Sequence, residues 1–390
     1  MNIMQRGVVT LLRSAITGER LPLPEGFDLE LAYPELKKHH MDAMLYEGAV
    51  RCGISKQLPV MQQLFRSYCK ALLVSEGQLR QIQRIFAAFE ENGIDYMPLK
   101  GCKLKALYAK PELRYMGDAD ILIRTEQYEK ITAVMEGLGF AFKNETDHEL
   151  IWLHKELFVE LHKHLIPSYN QDFYRHFTIG WQMAVPEQGS RYTMRVEDEW
   201  IFLFTHFAKH FRDGGIGCRY LVDLWVYLRN HPVMDQEYLQ QVLQDLQLQQ
   251  FHENIRKTIE VWFEGGQPDD VTDTVTDYIF SSGSWGTTAS KTISGAVRGA
   301  PERGRAATSR IRYVLQVLFP SVMVLREKYT VLKKYPWLLP AVWLVRPFYK
   351  FFWERKDYAR HMKNMDTITD SELEQRRKFM QYLGITYKID

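Results

Sequence analysis

The run Arg114 to Arg124 reads RYMGDADILIR and carries two carboxylates at alternate positions. Along a strand successive side chains point to opposite faces, so Asp118 and Asp120 project to one side while Ala119, Ile121 and Ile123 project to the other. The apolar side suits burial and leaves the acidic side open. Two carboxylates on one face repel each other unless a cation lies between them, the arrangement that a magnesium ion shared with phosphate oxygens requires. The run Leu157 to Leu165, LFVELHKHL, repeats the alternation, with Phe158, Glu160, His162 and His164 on one face and Leu157, Val159, Leu161 and Leu165 on the other. If the two strands pair, Glu160 lies beside the aspartates. Three carboxylates can hold two divalent ions, magnesium or manganese, one activating an attacking hydroxyl and one neutralising a departing pyrophosphate, with Glu160 nearest the attacking oxygen.

Upstream, Met97 to Lys105 reads MPLKGCKLK, a strand passing through Lys100 and Gly101 into a helix. A helix N-terminus offers free backbone N–H groups, and a glycine there lets a phosphate come close. Lys100, Gly101 and Lys103 are therefore the candidate triphosphate contacts, with Lys105 a further source of charge. On later helical stretches His206 and His210 fall four apart, as do Arg219 and Asp223. No HExxH glutamate or third ligand accompanies the histidines, so they read as structural or substrate-positioning groups rather than a zinc site. Arg219 and Asp223 read first as a helix-surface ion pair. His162 and His164 read first as packed or hydrogen-bonded histidines, with contact to substrate or metal as the alternative.

The elements that must position these groups follow from periodicity and punctuation. Apolar spacing of three and four marks helices in Leu58 to Leu73 and Leu79 to Phe89, and Asn92-Gly93 ends the helical stretch. A strand over Ile94 to Leu99, a helix over Cys102 to Ala109, a strand over Asp118 to Ile123, a helix over Thr125 to Leu138 and a strand over Leu157 to Leu165 follow. Helices return in Trp200 to Phe211, Arg219 to Arg229 and Gln236 to Trp262. The fold class is α+β, a mixed-sheet core flanked by helical regions on both sides. The expected divisions are a helical N-terminal region over 1–92, the core over 93–190, a helical region completing the cleft over 191–280, a flexible Gly/Ser-rich linker over 281–310 and a basic, aromatic helical region over 311–390.

At 390 residues, with a net charge of +2 and 25% charged residues, the chain has ordinary globular composition and no whole-protein bias toward nucleic acid. Its four cysteines are dispersed and form no CxxC pair, which speaks against a disulfide framework or a zinc site and fits a cytoplasmic protein. The N-terminus carries no signal-peptide pattern. No uninterrupted apolar run is long enough to span a membrane. Tyr335 to Trp353 comes nearest, and its prolines are expected to divide it into short helices.

The runs LKG (Leu99 to Gly101), Leu113-Arg114 through DADILI (Asp118 to Ile123) and ELH (Glu160 to His162) resemble the uncharacterised nucleotidyltransferases of the DNA polymerase beta-like superfamily. The likeness extends through Thr205-His206, Lys209-His210 and RYLVDL (Arg219 to Leu224), half to two-thirds of the chain. It implies the nucleotidyltransferase fold, divalent metal, and transfer of a nucleoside monophosphate from a triphosphate to a hydroxyl-bearing acceptor. Better-studied members place a serine after the glycine of the first helix, where this chain has Cys102. The likeness also raises Arg219 and Asp223 as groups lining the site.

The acceptor is open among small molecules, sugars, proteins and RNA ends. A non-catalytic nucleotide-binding or membrane-associated module retaining the fold is the alternative, and a template-independent RNA polymerase is a third reading that predicts salt-sensitive RNA binding. Between Lys291 and Lys356 basic residues outnumber acidic ones more than four to one, with aromatics interleaved. That segment is either a helical cover or a surface for a membrane face or an anionic polymer.

Overall fold

The computed structural model describes residues 1–168, 170–284, 286–298, 315, 319–326, 329, 331–353 and 369–387. Four helices open the chain: α1 (Ile3–Thr17), α2 (Leu29–Leu36), α3 (Asp42–Cys52) and α4 (Pro59–Glu91). Pro59 occupies the first turn of α4, where its missing N–H goes unused. The chain then enters β1 (Tyr96–Pro98), α5 (Lys100–Leu107), β2 (Ala119–Ile123), α6 (Tyr128–Gly137), β3 (Ala141–Glu145), β4 (Glu149–Leu153), β5 (Phe158–His162), α7 (Gln171–Phe177), β6 (Ala184–Gln188) and β7 (Arg191–Met194). The seven strands form one mixed sheet in the order β3-β4-β5-β2-β1-β7-β6, with β2 parallel to β5 and antiparallel to β1. The fold is the α+β architecture expected, with a shorter β5 that stops at His162.

Strand alternation divides the sheet's two faces. Ala119, Ile121, Ile123, Val159 and Leu161 join Leu150 and Trp152 in a cluster covered by Ile82, Ile85 and Phe89 of α4 and by Ile131 and Met135 of α6. On the other face Met97, Leu99 and Leu122 belong to a larger cluster that contains Phe202 and Phe207 of α8 (Val196–Asp213) and Leu221 and Leu224 of α9 (Cys218–Asn230). The acidic residues are on this second face. Leu165 lies in the larger cluster as well, opposite to the face assigned by alternation, because β5 has ended by then.

The expected helix Gln236 to Trp262 is two helices, α10 (Gln236–Asp245) and α11 (Gln249–Ile259). Between them Gln247 adopts φ of 55°, and the turn lets both Leu246 and Leu248 enter the core. After α12 (Asp270–Ser282), the stretch expected to be a flexible linker contains α13 (Thr288–Arg298), in which Ala296 and Val297 are buried against Leu373. Small residues at those positions let helices approach closely, so Ala, Gly and Ser there mark packing. The rest of that stretch, 299–310, lies outside the described residues, as does Trp285. The expected division of Tyr335 to Trp353 is also different. Pro336 opens a short 3-10 turn, Pro340 takes an early helical position, and one helix, Leu339–Trp353, runs through Pro347.

The first and last helical regions meet around the core. The Met1 ammonium lies 2.7 Å from Asp273 and Gln5 donates to Asp277 at 2.7 Å, both on α12. Met380, Leu383 and Ile385, at the end of helix Asp370–Tyr382, enter the same large cluster as Val8 and Leu11. Among the described residues no helix is long and apolar enough to cross a membrane.

Candidate active site

Parallel pairing of β2 with β5 sets Asp120 directly beside Glu160, as Ala119 is beside Val159. Both carboxylates project from the face opposite the Ala119, Ile121 and Val159 core. Asp118 precedes the first strand residue and lines the same cleft. The start of α5 packs tightly on this segment: a Cβ on Gly101 would lie 3.1 Å from Met116 Cγ and 3.3 Å from the Asp118 carbonyl oxygen. Lys100 enters the helix with φ of 33°, a backbone conformation costing a non-glycine residue about 1–2 kcal/mol. Its side chain is thereby carried to Asp120, where Nζ donates to Oδ1 at 3.0 Å.

His162, two residues after Glu160 on the same face, brings Nε2 to 2.8 Å from Asp120 Oδ1. Its Nδ1 lies 3.0 Å from Nε2 of His148, a residue the sequence pattern did not single out. Burial raises the cost of ionising Asp120, but the Lys100 ammonium and the His162 hydrogen bond hold its carboxyl far below the usual range. Asp118 has the opposite fate: burial and the adjacent Asp120 charge push its carboxyl up. Burial, Glu149 and Asp118 together push Glu160 up to about 8. One ammonium thus faces three carboxylates, two of which resist ionising together, and a divalent cation is the group that relieves this repulsion. Among the described residues Asp120, Glu160 and His162 each offer a ligand atom within 4.8 Å of the others; His162 Nε2 is engaged with Asp120, and the two carboxylates are the oxygen donors that fit such an ion. Asp118 is not in that group and borders it through the cavity wall.

The cavity beside these groups has a volume of about 260 Å³ and is closed by Leu203, His206, Phe207 and His210 of α8 and by Arg219, Tyr220 and Asp223 of α9. The rings of His206 and His210 lie tilted against each other with centroids 4.4 Å apart, and burial together with neighbouring cations keeps both neutral, His210 pushed down to about 3. Arg219 is 5% exposed, donates to the Tyr115 carbonyl at 2.5 Å and spreads over the rings of Tyr115 and Tyr220. Its Nε reaches no partner, and among the described residues no carboxylate lies within ion-pair distance of it. A buried guanidinium so placed on a cavity wall has the charge and free donor to take up an anion.

Several residues fall elsewhere than expected. Arg219 and Asp223 do not pair on a helix surface. The face of α9 that carries them is packed inward, and Asp223 instead accepts from Arg114 Nε at 2.8 Å, from Arg114 Nη2 at 3.1 Å and from the Tyr108 hydroxyl at 2.7 Å. Asp223 therefore bears on the site by anchoring Arg114, four residues before Asp118. Lys103 does not line the cavity, because Thr193 Oγ1 at 2.6 Å and the Glu199 carboxylate at 2.7 Å capture its ammonium. Lys105 donates to the Arg114 carbonyl at 2.9 Å and lines a separate cavity of about 250 Å³. His164 lies past the end of β5, edge-on to Tyr174. Arg114, His148 and Tyr220 are the neighbours that sequence reasoning missed. Only Arg114, so close to the DxD pair, carried a signal that could have found it.

The sheet thus presents adjacent carboxylates from parallel strands, beneath the start of α5 and beside a buried arginine. Residues 25–264 match the model of the family described as "Uncharacterised nucleotidyltransferase", more than half of the chain, and the protein belongs to that family. It is a nucleotidyltransferase. No curated protein and no solved structure matches it.

Proposed function

We propose that the protein transfers a nucleoside monophosphate from a nucleoside triphosphate to a hydroxyl-bearing acceptor, with magnesium or manganese bound by Asp118, Asp120 and Glu160. The observation that carries the reading is the in-register pair Asp120 and Glu160 beneath Lys100 and facing Arg219. A bound divalent ion supplies charge neutralisation for the polyphosphate and acidifies the acceptor hydroxyl. Lys100, the N–H groups at the start of α5 and Arg219 receive the phosphates, and the missing side chain of Gly101 lets α5 sit close against the Asp118 segment. Glu160 accepts the acceptor's proton as the new O–P bond forms and the bond to pyrophosphate breaks. His162 holds Asp120 in place, and Asp223 holds Arg114 and with it the approach to Asp118. His206 and His210, both neutral, shape the wall against which the nucleotide lies.

The direct Lys100–Asp120 ion pair supports a second reading, a nucleotide-binding module in which the lysine takes the place of the metal and no transfer occurs. In either case the exposed Trp337, Leu344 and Val345, near Lys334, support contact of the C-terminal region with an anionic or membrane surface. All four cysteines are free, in keeping with a reducing cytoplasm.

Calorimetric titration of each non-hydrolysable triphosphate with magnesium, into the wild type and Asp118→Ala/Asp120→Ala, tests the reading. Metal-dependent binding that the double variant loses is the expected result. Binding that is indifferent to metal would favour the module, and no binding by the folded wild type would sink both.

A further inference from the structure

The cleft continues past Glu160 into a second chamber of about 400 Å³, whose lining includes Thr146, His148, Glu149, His162 and Lys209. Lys100, Glu160 and His206 border both chambers. Antiparallel pairing of β4 with β5 places Glu149 beside His162, and His148 immediately precedes Glu149. One donor atom from each of His148, Glu149 and His162 lies within 4.8 Å of the other two.

The hydrogen bonds decide which nitrogens are available. His162 Nε2 faces a carboxylate oxygen of Asp120 at 2.8 Å, so it carries the proton and donates it. With Nε2 donating, Nδ1 is the accepting nitrogen of the ring, and it lies 3.0 Å from His148 Nε2. A carboxylate behind an imidazole, fixing its tautomer and raising its basicity, is the usual support for a metal-binding histidine. The nitrogen separation also fits, since two metal–nitrogen bonds of about 2.1 Å at roughly a right angle span about 3 Å. His148 is 9% exposed, and its Nδ1 reaches no hydrogen-bond partner, so this buried ring is held by protein through Nε2 alone.

We propose that His148, Glu149 and His162 form a second cation site, distinct from the carboxylate site, selective for a divalent metal ion such as zinc or iron(II). Two imidazoles and one carboxylate favour these ions, whereas magnesium prefers the all-oxygen set of Asp118, Asp120 and Glu160. An ion on His162 Nδ1 pins the ring that donates to Asp120, tying occupancy of the second chamber to the geometry of the first.

The test is cobalt(II) titration of the full chain in excess magnesium, read by the visible absorption of bound cobalt and by calorimetry. The wild type is expected to bind one cobalt. His148→Gln and Glu149→Gln should each weaken that binding by about tenfold or more, with unfolding midpoints retained. Glu149, at the start of β4 and half-buried, carries the test if the His148 variant fails to fold. Asp118→Ala is expected to keep the cobalt signal. A folded wild type that binds no cobalt, or an unchanged affinity in both variants, overturns the proposal. Loss of magnesium-dependent triphosphate binding in Asp118→Ala is scored separately, so failure of the transferase reading and failure of this site are distinguishable.

Discussion

Asp223→Asn preserves shape while removing the only charge that compensates Arg114 within ion-pair distance among the described residues. The carboxylate accepts from both Arg114 nitrogens and from Tyr108, and Arg114 and Asp223 are 6% and 4% exposed. Burial opposes charging Arg114, and the attraction of Asp223 more than offsets it. Leaving one partner of a buried pair uncompensated costs about 3–5 kcal/mol, a large share of the total stability of a typical domain, ~5–15 kcal/mol. The variant's urea midpoint should therefore fall sharply at unchanged slope. Arg114→Met/Asp223→Leu, which removes both charges, should recover most of that loss, and a double-mutant cycle would show the two sites to be strongly coupled. The double variant should still bind magnesium triphosphate poorly, because the segment leading to Asp118 has lost its anchor. If Asp223→Asn lowers stability by less than about 1 kcal/mol while abolishing triphosphate binding, Asp223 contacts the ligand directly and the anchoring argument is refuted.

Further predictions concern the site and the scaffold. Burial, Glu149 and Asp118 push Glu160 from the ordinary 4.5 up to about 8, and it must lose its proton to hold a cation. Magnesium affinity should therefore rise as pH increases through about 8, and Glu160→Gln should flatten this dependence in calorimetry. The same shift favours the folded, metal-free protein at low pH, and this contribution is lost as pH rises from 4.5 through about 8. His39 behaves in the opposite sense. Burial and Lys38 push its pKa from 6.5 down to about 4, so its contribution to stability is complete above 6.5 and is lost as pH falls toward about 4. The loss amounts to about 3 kcal/mol, and urea unfolding of His39→Gln at several pH values should show a shallower acid slope. Gly48→Ala would place a Cβ 2.0 Å from the Leu11 carbonyl oxygen, forcing α1 and α3 apart. Thermal unfolding should report a loss of at least about 1–3 kcal/mol.

Chain-local rules determined a good deal of this protein. Alternation with a period of two put Asp118 and Asp120 opposite Ala119, Ile121 and Ile123, and gave Glu160 the phase of His162. Glycine and proline punctuation marked where α5 begins and where α4 ends. These are properties of a few adjacent residues, set by backbone geometry whatever the rest of the chain does. Tertiary structure alone decided that β2 and β5 are parallel neighbours, which turned a permitted alignment of Asp120 and Glu160 into an actual one. It turned Lys103 toward Glu199 and paired Asp223 with Arg114, partners 96 and 109 positions apart. It also brought His148 to His162 and broke the chain at Gln247 so that Leu246 and Leu248 could both be buried. Such outcomes depend on which surfaces meet when the core closes, because a buried charge takes whatever partner the packing brings within reach, and no local spacing specifies that partner.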